Sequence, residues 1–74
     1  MSVPETGTSQ VDIDEAGRQL ELAIHDARVA FDCIQLGELD RAHTSAITAR
    51  AAADAAENLL LAALGGRRHQ PGEA

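Results

Sequence analysis

Apolar residues recur along the chain at alternating spacings of three and four residues, the period of a helix that buries one stripe. The first segment repeats at Ile13, Ala16, Leu20, Ala23, Ala27, Ala30 and Ile34, and the second at Leu39, Ala42, Ala46, Ala49, Ala53, Ala56, Leu60 and Ala63. No proline interrupts either segment. The pattern therefore predicts two long helices, over about 12–36 and about 38–64.

The two predicted helices are separated by a single glycine, Gly37, which follows Leu36 as a left-handed C-terminal residue would. A connection this short predicts an antiparallel hairpin. Gly65 and Gly66 predict the end of the second helix. Residues 1–10 and 65–74 are rich in polar residues, Gly and Pro, so we expect a flexible head and a flexible tail around a hairpin over 11–64.

Alanine occupies every second position of each repeat, at intervals of seven residues. The alanines concerned are Ala16, Ala23 and Ala30 in the first segment, and Ala42, Ala49, Ala56 and Ala63 in the second. Small side chains allow two helix backbones to approach closely. The predicted fold class is therefore all-α: a long antiparallel helical hairpin with an Ala-rich, close-packed seam.

Further apolar residues lie outside these repeats and predict an interaction surface. Leu22, Val29, Cys33 and Leu36 form a second stripe on the first helix, and Leu59 and Leu61 lie near the end of the second. A two-helix hairpin buries one side of each helix, so this stripe needs a partner. The simplest partner is a second copy, which would give a homodimeric four-helix bundle.

Charge and composition narrow the classes of partner. The chain has 74 residues and a formal net charge of −6, and all of its basic residues apart from histidine are arginine. An acidic surface repels phosphate backbones, so we expect no nucleic-acid binding. The longest apolar run, "LLLAAL", is far shorter than the roughly 20 residues of a membrane-spanning helix. With a single cysteine and no signal-like start, we expect a cytoplasmic protein that does not bind membranes.

Candidate catalytic chemistry is sparse. Asp32, Cys33 and His43 could in principle approach one ion across the turn, but the sequence has no HExxH, no Glu-x-x-His and no CxxC spacing. The hydroxyl residues of the second segment have no His–acid arrangement around them. We therefore expect no cofactor, no metal site and no catalytic residues.

The stretch "ARVAFDCIQLGELDRAHTSA" resembles the middle of a tetratricopeptide repeat, with Ala30 and Ala42 at the two small positions and a Gly turn before "GELDRA". Asp26, Cys33 and Ala46 stand where that pattern has Trp, Tyr and Phe. The resemblance implies protein–peptide binding. The overall plan also resembles the small plasmid-encoded RNA-binding hairpin dimers, although this chain lacks the lysines of their basic face.

The sequence as a whole predicts a small acidic protein–protein interaction or regulatory module that acts as a self-associating hairpin and binds an unidentified protein. Two alternatives remain open: a nucleic-acid-linked regulator of the hairpin-dimer type, and an acidic inhibitor of a basic nucleic-acid-binding protein.

Overall fold

The protein consists of two helices joined by a tight turn. A computed structural model describes residues 4–68, and the side chains of residues 10–65. Helix α1 spans Pro4–Gln35 and helix α2 spans Leu39–Arg68. The helices pack against each other as a hairpin with overall dimensions of 55 × 25 × 12 Å. The smallest dimension is about one helix diameter, so the hairpin is a single layer.

The turn between the helices is closed by backbone hydrogen bonds. Gly37 has a φ of 77°, as its predicted left-handed role requires. The Glu38 amide donates to the Cys33 carbonyl at 2.8 Å, and the Gly37 amide donates to the Ile34 carbonyl at 3.0 Å. These two bonds form a Schellman motif, which satisfies carbonyls that the end of α1 would otherwise leave unpaired.

Helix α2 begins directly after this turn. The Glu38 carbonyl accepts the first hydrogen bond of α2 from the Ala42 amide at 3.0 Å, so Glu38 is the N-cap residue. Its carboxylate accepts a hydrogen bond from the Arg41 guanidinium at 3.0 Å. Asp40 adds a second acid to the first turn, where the helix dipole favours negative charge. Gly37 therefore reverses the chain within residues 36–38, and the two acids stabilise the first turn of α2.

Burial follows one stripe on each helix, which we call the seam. Its members on α1 are Asp12, Ala16, Gln19, Ala23, Asp26, Ala30 and Cys33, and those on α2 are Ala42, Ser45, Ala49, Ala52, Ala56, Leu59 and Ala63, all of them buried or half-buried. The spacing alternates between three and four residues, as an antiparallel coiled contact requires. Most of these side chains are alanine, so the prediction of an Ala-rich seam is confirmed.

The seam differs from the predicted one at alternate positions. The repeated alanines are in place, but Gln19 and Cys33 occupy positions that the pattern assigned to Leu20 and Ile34, and both of those residues are exposed. On α2, Ser45, Ala52 and Leu59 likewise replace the predicted Ala46, Ala53 and Leu60. From Leu20 onward, the prediction was wrong by one residue at every second position.

The turn accounts for this shift. The Cys33 carbonyl accepts the hydrogen bond that closes the Schellman motif, and the Cys33 side chain is 5% exposed at the start of the reversal. Once Cys33 faces α2, the helical period places Asp26 and Gln19 in line with it. Their polar ends stay at the edge of the seam, where Gln19 donates to Glu15 at 3.1 Å. Large branched residues such as Leu20 fall outside the close contact.

The outer helix boundaries also differ from the prediction. Helix α1 begins at Pro4, so residues 4–10 of the predicted head are helical, and proline suits the first turn because its missing N–H has no partner there. Helix α2 continues through Gly65 and Gly66 to Arg68, so these glycines do not end it. Residues 1–3 and 69–74, including His69, lie outside the described residues.

Two glycine substitutions should have opposite effects. A Cβ would have open space at both Gly37 and Gly65, so any difference comes from the backbone alone. Gly37→Ala should lower the free energy of unfolding by about 1 kcal/mol because an L side chain disfavours positive φ. Gly65→Ala should raise it by about 0.5–1 kcal/mol because alanine is the better helix former. Urea denaturation followed by circular dichroism measures both; a stabilised Gly37→Ala variant would contradict the turn.

Enlarging a seam alanine should destabilise the hairpin. Ala56 is 1% exposed, so Ala56→Leu must push the helices apart and should cost about 1–3 kcal/mol. Ala51 is exposed on α2, and Ala51→Leu makes the same change without burial. The thermal midpoint of each variant tests this, with Ala51→Leu expected to match the wild type. If Ala56→Leu melts higher than the wild type, the helices are not in close contact there.

Candidate interaction surface

The hairpin buries small side chains and exposes large ones. Among the described residues, the buried apolar set is Ala16, Ala30, Cys33, Ala42, Ala52, Ala56 and Ala63, and no large side chain is fully buried. A buried methyl group contributes only about 0.8 kcal/mol, so seven small side chains make a weak core. The apolar surface that could stabilise this chain is therefore largely on the outside.

A regularly spaced apolar surface, exposed over most of its length, follows helix α1 one step around the helix from the seam. Ile13, Gly17, Leu20, Ile24, Ala27, Phe31 and Ile34 repeat at alternating spacings of four and three residues. Ile24 is 58% exposed and Phe31 is 60% exposed. Both side chains border a shallow open groove, which Ala27, Arg28 and Asp32 also line.

Helix α2 extends this surface across the hairpin. Leu39, Ala46, Ala53 and Leu60 each follow a residue of the heptad pattern that forms the seam, as Leu20, Ala27 and Ile34 do on α1. In two antiparallel right-handed helices, the residue after such a position turns to the same side of the pair. We call the combined surface the apolar face: Ile13, Gly17, Leu20, Ile24, Ala27, Phe31 and Ile34 with Leu39, Ala46, Ala53 and Leu60.

The residues predicted to form an interaction stripe do not form one surface. Cys33 is buried in the seam, and Leu59 is half-buried there. Leu22 and half-buried Val29 lie along the other side of α1, away from the apolar face, and Leu36 lies in the turn that follows; Leu22 is 48% and Leu36 72% exposed. Leu61 lies on the outer side of α2 and is exposed. Leu22 and Val29 therefore share a side of α1, whereas Cys33, Leu59 and Leu61 lie elsewhere.

The residues of the apolar face carry a signal that the sequence interpretation did not use. Ile24 and Phe31 belong to neither predicted stripe, and Leu20 and Ile34 were assigned to the seam. Yet the repeat from Ile13 to Ile34 is as regular as the seam repeat and holds larger side chains. A rule that small residues mark the closest contact, and large ones the next contact outward, would have separated the two.

Charged groups border the helices without forming a buried site. The ion pairs within the described residues join Arg18 to Glu15 at 3.0 Å and Arg41 to Glu38 at 3.0 Å, while His25 lies 3.3 Å from Asp26. Hydrogen bonds from Gln19 and Arg18 lower the pKa of the Glu15 carboxyl. All of these groups are partly or largely exposed, so they support helices and solubility more than they hold the hairpin together.

The proposed ion ligands are not assembled around a common point. Cys33 is a free thiol buried in the seam, whereas Asp32 and His43 are exposed. Within residues 4–68, no group of three or more His, Cys, Asp or Glu side chains is placed to hold a metal ion. The same part of the chain contains no helix that is both long enough and apolar enough to cross a membrane.

No protein-family model, curated protein or solved structure matches this chain. The apolar face is a candidate interaction surface because its residues are mostly large, mostly exposed and regularly spaced along α1.

Proposed function

We propose that this protein is a non-catalytic interaction module that works as a self-associated helical hairpin, with two copies joined through the apolar face into a four-helix bundle. The observation that carries the proposal is the exposure of Ile24, Phe31 and Ile34 on a chain whose buried core is almost all alanine. Small domains with so little buried volume usually need a partner, a metal or disulfides to be stable.

A second copy suits this surface in size. The broad side of the hairpin measures 55 × 25 Å, ample for the roughly 800 Å² that each partner of a stable complex buries. Association would cover Leu20, Ile24, Phe31 and Ile34 in both copies at once, because a twofold interface uses the same residues on each side. The hairpin would then gain the apolar core that it lacks alone.

The surfaces left outside such a bundle are acidic and would meet a second protein. Residues 11–64 contain ten Asp or Glu and four Arg, and these lie mostly on the sides of the helices away from the seam. A basic protein surface is the complementary partner, since charge complementarity sets which proteins associate and how fast. An acidic inhibitor of a nucleic-acid-binding protein is one form of this function.

Self-association should depend on the apolar face and not on the other side of α1. Ile24→Glu should shift the protein toward monomer and lower its thermal midpoint, because folding and association are linked. Leu22→Glu is the matched control: it lies two residues away, is also about half exposed, and gains the same charge. Sedimentation equilibrium at micromolar concentration distinguishes them. A stable wild-type monomer would overturn the proposal, and disruption by Leu22→Glu alone would move the interface to the predicted stripe.

Nucleic-acid binding should be absent at physiological salt. The helical segment is strongly acidic, and non-specific affinity for DNA or RNA comes mainly from basic groups that displace counterions. Fluorescence anisotropy with labelled duplex DNA and hairpin RNA should therefore show no change up to high micromolar protein. Binding that weakens steeply with added salt would favour the nucleic-acid-linked alternative instead.

A further inference from the structure

We infer that the two copies meet through their α1 helices, which run antiparallel about a twofold axis level with the midpoint between Ile24 and Ala27. This inference rests on the proposed function and specifies its geometry. It follows from three properties of α1 that lie side by side in the structure: where the apolar surface is concentrated, how large and small residues alternate along it, and how the charges beside it are arranged.

The apolar surface is concentrated on α1. At the outer edge of the apolar face, α1 presents Gly17, Ile24 and Phe31, whereas the equivalent edge of α2 presents three polar residues, His43, Arg50 and Glu57, before the exposed Leu64. The groove between Ile24 and Phe31 is likewise on α1. Desolvating the α2 edge would remove charged groups from water, which is costly, so the α1 edge is the one that a second copy would cover.

When the order of α1 is reversed, two of the three layers of the contact pair a large residue with a small one. With the axis between Ile24 and Ala27, Ile24 of one copy lies level with Ala27 of the other, and Gly17 lies level with Ile34. Leu20 and Phe31 form the layer between these two. Gly17 has open space where a Cβ would stand, so it can receive a large residue from outside. A glycine inside a helix lowers helix stability, and close packing of Ile34 from the second copy against Gly17 would offset this cost.

Charges beside this contact are complementary about the same axis. Glu21 and Arg28 are exposed on the edge of α1 next to Ile24 and Phe31. In the proposed arrangement, Glu21 of each copy lies close to Arg28 of the other, and this opposite-charge pair occurs twice. Moving the axis by half a heptad toward the N-terminus places Glu21 opposite itself and Asp14 opposite Arg28, and moving it toward the C-terminus places Arg28 opposite itself. Charges at such flanking positions commonly set partner orientation in helical bundles.

The test reverses these two charges separately and then combines them. Glu21→Arg places two arginines together at each edge, and Arg28→Glu places two glutamates together. Each variant alone should have a dimer dissociation constant at least about tenfold above that of the wild type in low salt. An equimolar mixture should form a heterodimer with affinity within about threefold of the wild type, because both edges then pair opposite charges.

The matched controls are Asn58→Arg and Asn58→Glu, which add a charge at an exposed site on the outer side of α2. Neither should change the dissociation constant appreciably, and mixing them should have no effect. Sedimentation equilibrium measures the masses, with circular dichroism following helix content. If the single variants unfold, recovery of helix content when they are mixed shows that the opposite charges pair.

The outcomes separate this inference from the proposed function. A wild-type dimer whose two charge variants do not recover on mixing, or are not weakened at all, overturns the antiparallel α1 contact while self-association stands. A wild-type monomer overturns both. Recovery in the mixture, with inert controls, is the result that we expect.

Discussion

The close approach of two helices along a line of alanines is the constraint on which the rest of this structure depends. Ala16 and Ala56 are each 1% exposed, so there is little space between the helices for anything larger. Close contact gives good dispersion interactions, and alanine favours helix formation. A seam of alanines nevertheless buries little apolar surface. Most of the large aliphatic side chains then lie on the outside of this single layer of two helices, and Leu59 is the one that the seam holds, half-buried.

The sequence predicts those parts of the fold that depend on local interactions. The two helices, the reversal and the left-handed Gly37 follow from spacing and turn chemistry, and the structure confirms them. The full extent of the helices does not, because Gly65 and Gly66 signal an end that the chain passes through. Glycine lowers helix stability without forbidding the conformation, so a pair near a terminus leaves the boundary undetermined.

The composition of the seam could be predicted, but not its register. A repeat of alanines at seven-residue intervals identifies one half of the contact, and either neighbouring position can supply the other half. Gln19 and not Leu20 lies in the seam because it is two heptads from Cys33, which is buried at the reversal. Hydrophobicity alone favours Leu20, and steric fit between close helices favours its exclusion. The candidate interaction surface differs from the predicted stripe for the same reason, because the large residues excluded from the seam form the apolar face.

Size and charge along α1 have a common consequence for partner choice. Apolar area by itself does not specify orientation, because a stripe of Leu, Ile and Phe can slide against many surfaces. Gly17 and Ala27 divide the stripe into large and small sites, and Glu21 and Arg28 flank it with opposite charges. The proposed dimer uses both features, because a twofold contact requires a surface that is complementary to itself. On this view the alanines of the seam do more than join two helices: they force outward the residues by which two hairpins could recognise each other.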